Sequence, residues 1–406
     1  MKKFKIFCMI TAVVSMLSTP VFAQEIKGNV LDLDTAINNA VKNSYIIKQR
    51  ESILESTERS CKDQVKMANN IDKRIKDNER FKELIGKNER TKEEEAEYQV
   101  YVRMYGKPMS YDELTSYSKT SNIVPVKNKF TIFQYTNALQ VAKNNIKQNV
   151  YEEYGKLIKA KDDLDLAEKK FNVAESEFKK VNLNASLGII SKLEGNEKKS
   201  DYLKEKENYE KLKRELKIQT MNFNRLIGVP INTEYSQFTK EYSKGTTSFK
   251  SYEEYVNEAL KNRAEIVNGK EYIYYKEYER DLSSGSNFEK REKEIGQQYL
   301  ETARDTVEIK KLDIQLEVKR LYDDLEVKYK NFESISNDYK EAKKSYDEIS
   351  TKYSIGVISK IEYDKETATF TEKMLNYLNK DREIFISKLK LENACSLGTD
   401  INKGLY

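Results

Sequence analysis

The sequence predicts an all-α protein, built as two tandem, long antiparallel helical hairpins with coiled-coil packing. Three observations predict it. Helix breakers are few: the 406 residues hold four prolines and 14 glycines. No proline lies between Pro125 and Pro230 or after Pro230, and long polar stretches free of proline permit long helices. Apolar residues recur every seven positions, the spacing of a stripe that must be buried against other helices. Finally, the chain repeats itself.

The N-terminus reads as an export signal. Lys2, Lys3 and Lys5 precede a mostly apolar run from Ile6 to Leu17, and Val21-Phe22-Ala23 suits cleavage before Gln24. Cys8 lies inside the run, not at its end, so a lipid-anchored N-terminus is not expected. The run is short for a bilayer span, and no later stretch approaches about 20 uncharged apolar residues.

The first repeat is expected over residues 24–230. Its starting helix opens at Asp34, and a segment of about 67–127 reads as an insert of short helices. That insert carries capping boxes at Thr91-x-x-Glu94 and Ser110-x-x-Glu113. Residues Glu97 to Tyr105 also alternate apolar with polar, which leaves one strand open as an alternative. A long helix follows from about Asn128 to Ala185. Val150, Leu157, Leu164, Phe171 and Phe178 form its seam, with Ala160, Ala167, Ala174 and Val181 beside it. The chain turns at Gly188 and returns along a seam of Tyr202, Tyr209, Leu216 and Phe223, stopping near Gly228-Val229-Pro230.

A linker over 231–250 leads to the second repeat, 251–398, which opens at the capping box Ser251-x-x-Glu254. Here only a turn around Ser283 to Asn287 separates the first helix from the long one, about Phe288 to Ser354. The seams are Val318, Leu325, Phe332, Tyr339 and Tyr346, then Tyr363, Phe370, Tyr377, Ile384 and Leu391. At about 1.5 Å per residue the two long helices would measure roughly 85 to 100 Å. Residues 399–406 form a tail.

Two pairs of segments prove the duplication. Ser186-Leu187-Gly188-Ile189-Ile190-Ser191-Lys192-Leu193-Glu194 reappears as Ser354-Ile355-Gly356-Val357-Ile358-Ser359-Lys360-Ile361-Glu362, an offset of 168. Ala36-Ile37-Asn38-Asn39-Ala40-Val41-Lys42-Asn43 matches Tyr255 to Asn262 at an offset of 219. The offsets differ by 51, the extra chain carried by the first repeat.

Composition excludes several functions. With no histidine, Ser-His and Cys-His catalysis and the commoner zinc sites are absent, and no metal or cofactor is expected. Loss of the signal leaves 69 basic against 67 acidic residues. That charge of about +2, with the signs interleaved, does not suit nucleic-acid binding. Carboxylate pairs abound, but nothing groups them against an apolar background, as acid-base catalysis requires. An enzyme is therefore not expected. The 28 tyrosines lie largely on the seams and read as packing. Cys61 and Cys395 are expected as two free thiols, about 40 Å apart along the bundle, where a disulfide needs under about 7 Å between Cα atoms.

At the repeated nonapeptide, the sequence resembles the TolC-like outer-membrane efflux protein family. Leu31-Asp32-Leu33-Asp34-x-Ala36, Arg225-Leu226-Ile227-Gly228 and Tyr353-Ser354-Ile355-Gly356, followed by a polar turn and Glu362, add to the resemblance. It covers nearly the whole mature chain and implies a homotrimer whose long helices form a tunnel. It further implies docking of a periplasmic-type adaptor (a membrane fusion protein) and, through it, an inner-membrane transporter. Carried over, Leu187, Gly188, Ile189 and Ser191, with Ile355, Gly356, Val357 and Ser359, are adaptor-docking positions. Glu194 and Glu362 fall where the family places acids at the tunnel entrance. An exposed first-turn acid favoured by the helix dipole is the plainer reading of both, and Lys365 stands where some members place a second acid. The family's barrel strands have no clear counterpart, since a spanning strand needs about 9 to 11 alternating residues. The expectation is thus an exported, extracytoplasmic tunnel subunit of the cell envelope, in the outer membrane only if unrecognised strands form a barrel. The competing expectation is a secreted structural coiled coil that tethers or spaces envelope components and has no conduit.

Overall fold

The computed structural model describes residues 30–239, 248–283, 290–400 and 404–406. The expected signal, 1–23, lies outside the described residues, as do linker residues 240–247 and all but Ser283 of the expected second-repeat turn. In chain order the elements are β1 (Val30–Leu31), α1 (Leu33–Asn43), α2 (Tyr45–Gly86), α3 (Lys92–Tyr105), α4 (Tyr111–Ser186) and α5 (Lys192–Ile227). Then come β2 (Gln237–Phe238), α6 (Tyr252–Asn262), α7 (Ala264–Leu282), α8 (Lys290–Ser354) and α9 (Lys360–Cys395). The two-residue strands pair in parallel, Val30 with Gln237 and Leu31 with Phe238. Among the described residues there is no longer strand, and no helix is long and apolar enough to cross a membrane.

The duplication shows in the helix bounds. Helix α6 repeats α1 at the 219 offset, and α9 repeats α5 at the 168 offset. Even the break between the first two helices recurs. Ser44, with ψ 121°, separates α1 from α2, and Arg263, with ψ 139°, separates α6 from α7. An extended residue cannot continue a helix, so the chain bends there and starts afresh. Asn43 donates its side-chain amide to the carbonyls of Ile227 and Gly228, and Asn262 donates to that of Cys395. One asparagine per repeat thereby satisfies carbonyls that the end of a return helix leaves open.

The heptad positions form the core. Ala40, Ile47, Val150 and Leu157 are buried in the first repeat, and their counterparts Ala259, Ile266, Val318 and Leu325 in the second. Each fully buried aliphatic stabilises by about 1.5 to 3 kcal/mol. Further along, the opposing seams meet as aromatic ladders. Phe171 lies 5.7 Å from both Tyr202 and Tyr209. In the second repeat Tyr339 stacks on Tyr377 at 4.8 Å and Tyr346 on Phe370 at 4.5 Å.

Three expectations need correction, the first at the insert. Residues 67–127 do not form a run of short helices. Helix α2 continues to Gly86, and α4 already starts at the Ser110 capping box, so α4 has 76 residues and is about 115 Å long. It continues past Pro125, which normally costs about 3 kcal/mol in a helix interior. Tertiary contacts on both sides of the proline hold it. Asn78 of α2 accepts the Met109 N–H at 2.7 Å, and Asn128 donates to the Cys61 carbonyl at 3.1 Å. Second, the strand alternative at Glu97 to Tyr105 fails. That stretch is α3, closed at its start by both bonds of the Thr91–Glu94 box and packed through Tyr98 and Tyr101 on Phe81.

The third concerns the cysteines. Both are free, as expected, and both are buried. The separation is smaller than expected, because Gly398 does not end level with Asp34. Cys61 lies beside Asn128 of α4, whereas Gly398 lies beside Asn144 and Asn393 beside Gln148. The cysteines are therefore about 25 to 30 Å apart along α4.

Candidate functional site

Both hairpins end in the same turn, at the same end of the molecule. Helix α4 packs against α9 as well as against α5, so the two repeats run alongside each other. Lys170 of α4 pairs with Glu372 of α9 at 2.7 Å. From that pair α4 runs 16 residues further to Ser186, and Lys360 begins α9 12 residues away. The two tips thus project together by about 20 Å.

Each tip is closed by the same hydrogen bonds. The Gly188 N–H donates to Ala185 at 3.1 Å and the Ile189 N–H to Asn184 at 2.9 Å; in the second repeat Gly356 donates to Tyr353 at 3.0 Å and Val357 to Lys352 at 2.9 Å. This double closure is a Schellman motif, which needs a left-handed residue after the helix. Gly188 and Gly356 supply it, with φ +72° and +74°. Nothing lies within 4 Å of an added Cβ at either glycine, so the backbone alone requires glycine here. Three residues after each glycine, Ser191 Oγ accepts from the Glu194 N–H, and Ser359 Oγ from the Glu362 N–H, both at 3.2 Å. These serines start the return helices.

Of the expected docking positions, the turn's apolar side chains stand in solvent. Leu187 is 64% exposed and Ile355 68%, and Ile189 and Val357 are similarly exposed. A monomeric fold has no internal reason to present four aliphatics on two projecting turns. Leu193, just inside α5, is as exposed as these and was not among the expected positions. Its counterpart Ile361 is half-buried, so the repeat pattern alone carried no signal for it.

Glu194 and Glu362 are exposed acids in the first turns of α5 and α9, near the positive ends of those helices. Behind the second tip, the Tyr346 and Tyr363 hydroxyls meet at 2.9 Å, and Lys360 lies over the Tyr353 and Tyr363 rings. The shared hydrogen bond raises the Tyr346 hydroxyl above its usual range and lowers that of Tyr363. Lys198 is raised by its bond to Glu177 behind the first tip. These groups brace the two helices of each hairpin. Among the described residues, no cluster of His, Cys, Asp or Glu could hold a metal ion.

No family model matches the chain, and no curated protein matches it by sequence. Solved structures do match. The chain is similar to CusC, a protein whose structures concern folding and transmembrane channel formation, with a TM-score of 0.59, 10% identity, and coverage of 90% of this chain and 92% of that one. A membrane protein from Pseudomonas aeruginosa matches with a TM-score of 0.58 and 10% identity, over 98% of this chain and 100% of the other. The outer membrane protein VceC from Vibrio cholerae matches with a TM-score of 0.54 and 9% identity, over 91% and 97%. At such identity the likeness is one of fold. The chain shares the TolC-like fold along nearly its whole length.

Proposed function

We propose that this chain is an exported, non-enzymatic, TolC-like helical subunit of an efflux or secretion system in the cell envelope. In this reading it assembles as a homotrimer and docks a membrane-anchored adaptor of an inner-membrane transporter through its helix-turn tips. The observation that carries the reading is the pair of tips. Two copies of one turn, identical in hydrogen bonding, hold Leu187, Ile189, Ile355 and Val357 out in solvent at one end of the bundle. The fold it shares with channel proteins supports the conduit. Glu194 and Glu362 would then ring the entrance, where carboxylates favour cations and repel anions.

The test is a photocrosslinking residue placed at Leu187 or Ile355 in the native cell envelope. The expected product joins this chain to a membrane-anchored adaptor; a crosslink to no envelope protein overturns the docking.

A second reading, a structural coiled coil that spaces envelope components, is favoured by the lack of any strand longer than two residues among the described residues. Small-angle scattering of the purified chain separates the two. A trimer with an axial cavity supports the conduit, and a solid bundle of one or two copies supports the spacer.

A further inference from the structure

The duplication makes one face of this molecule a template for another. Within the chain, α4 of the first repeat is covered by α7, α9 and the C-terminal residues of the second. Val141 is buried there, Asn144 donates to the Gly398 carbonyl at 3.5 Å, and Gln148 accepts from Asn393 at 3.1 Å. The 168 offset carries these three residues to Ile309, Leu312 and Leu316 of α8. No element among the described residues covers them: Leu312 is 66% exposed, Leu316 72%, and Ile309 is close behind. Two hydrogen-bonding side chains of the covered copy are therefore leucines in the uncovered one. A face meant for water would show the opposite exchange.

The other half of the contact shows the same inversion. Ala264 and Glu265 open α7 about one turn before Asn268, which accepts from Asn137 of α4 at 2.6 Å, and both are buried. The 219 offset returns them to Tyr45 and Ile46, which open α2; Tyr45 is 87% exposed and Ile46 also faces solvent. The residues around Gly398 correspond to Pro230 and Ile231, and Ile231 is exposed as well. Charge follows suit nearer the tips. The Lys170–Glu372 pair becomes Asp338 and Lys204, opposite charges with their places exchanged, with Asp338 also 3.7 Å from Lys373 of its own chain. One pair is not reproduced: Asp162 and Arg382 become Lys330 and Arg214, and there Lys330 is bonded to Glu326 of its own helix at 3.0 Å.

We propose that Ile309, Leu312 and Leu316 of one copy seat on Tyr45, Ile46 and Ile231 of a second copy of this chain. The contact repeats between subunits the one that α4 makes with the second repeat inside each. It is heterologous, one face meeting a different face, and such contacts build rings when the rotation closes. The proposal deepens the assembly proposed above by naming its surfaces, and capture at the tips tests the docking separately.

The test uses residues 24–406 with Cys61 and Cys395 retained, since both are buried. Copies carrying only Leu312→Cys are mixed with copies carrying only Ile46→Cys and oxidised with copper phenanthroline. The expected product is a 312–46 disulfide dimer, with no product from either variant alone. Sedimentation velocity adds a second readout. The Leu312→Asp/Leu316→Asp and Tyr45→Asp/Ile46→Asp variants each raise the dissociation constant at least 100-fold while keeping wild-type helicity. A wild-type chain that stays monomeric at tens of micromolar, links between two copies of residue 312, or aspartate variants that assemble like wild type would each overturn the seam. An adaptor crosslink at Leu187 that survives such a result would leave the docking reading standing.

Discussion

Gly228 and Gly188 have nearly the same backbone angle, φ +70° and +72°, and opposite surroundings. A Cβ at Gly188 meets nothing, whereas at Gly228 it falls 2.3 Å from Cβ of Asn43. Gly188→Ala should therefore cost only the left-handed strain, about 1 to 2 kcal/mol. Gly228→Ala should cost about 3 kcal/mol or more, because it also drives Asn43 off the carbonyls it caps. Urea denaturation followed by circular dichroism measures both, and equal losses would refute the steric argument. Both asparagine caps could be read in the sequence as repeated residues, but their role could not, because each partner carbonyl belongs to a distant helix. The cysteines give a pH prediction. Burial pushes Cys395 from 9.0 up to about 12 and raises Cys61 as well. Between pH 9 and 12 the unfolded thiol has lost its proton while the folded one keeps it. Stability due to Cys395 is thus fully present below pH 9 and is lost as pH rises toward 12. Denaturation at pH 8, 10 and 11 should show a shallower fall in Cys395→Ala than in wild type.

At the scale of elements, the seams are uneven along their length. Val150, Leu157, Val318 and Leu325 are fully buried, where three or more helices surround them, but Phe171, Phe178, Tyr339 and Tyr346 are half-buried in two-helix ladders. Local opening is cheapest where buried apolar contact is least. Amide hydrogen exchange read by mass spectrometry should therefore be faster in 171–202 than in 141–158, although all of these residues but the turn are helical. Uniform protection along α4 would contradict this. The seven-residue period made every seam legible, because burial on one side of a helix leaves a trace in local spacing. The course of α2 and α4 through 67–127 left a weaker trace. Pro125 carries a strong local signal against helix, and the bonds that outweigh it join residues 31 and 67 positions apart.

At the scale of the molecule, several polar contacts tie the two repeats, among them one buried ion pair. Arg382 of α9 meets Asp162 of α4 at 2.8 Å, with side chains 9% and 1% exposed. Arg382→Met removes the guanidinium from a buried carboxylate and should cost about 3 to 5 kcal/mol. The double variant Asp162→Leu/Arg382→Leu should recover most of that loss. Guanidine denaturation checks both, and a single variant as stable as wild type would show that the pair does not join the repeats. Arg263 acts similarly within the second repeat, bonded to Glu265, to Glu317 and to the Ala394 carbonyl. Those charged bonds hold its guanidinium above its ordinary range in spite of burial.

The sequence by itself determined the helices, their heptad faces, the glycine turns at the tips, the capping boxes and the duplication. Each of these is written within a few turns of chain, or in direct comparison of one stretch with another. Only the tertiary structure decided how far α2 and α4 extend past Pro125, how distant the cysteines are, and which copies of a repeated face are covered. Val141 and Ile309 share a place in the repeat, yet one is buried and the other exposed. Burial depends on what lies across the gap, and no spacing along a single helix records that.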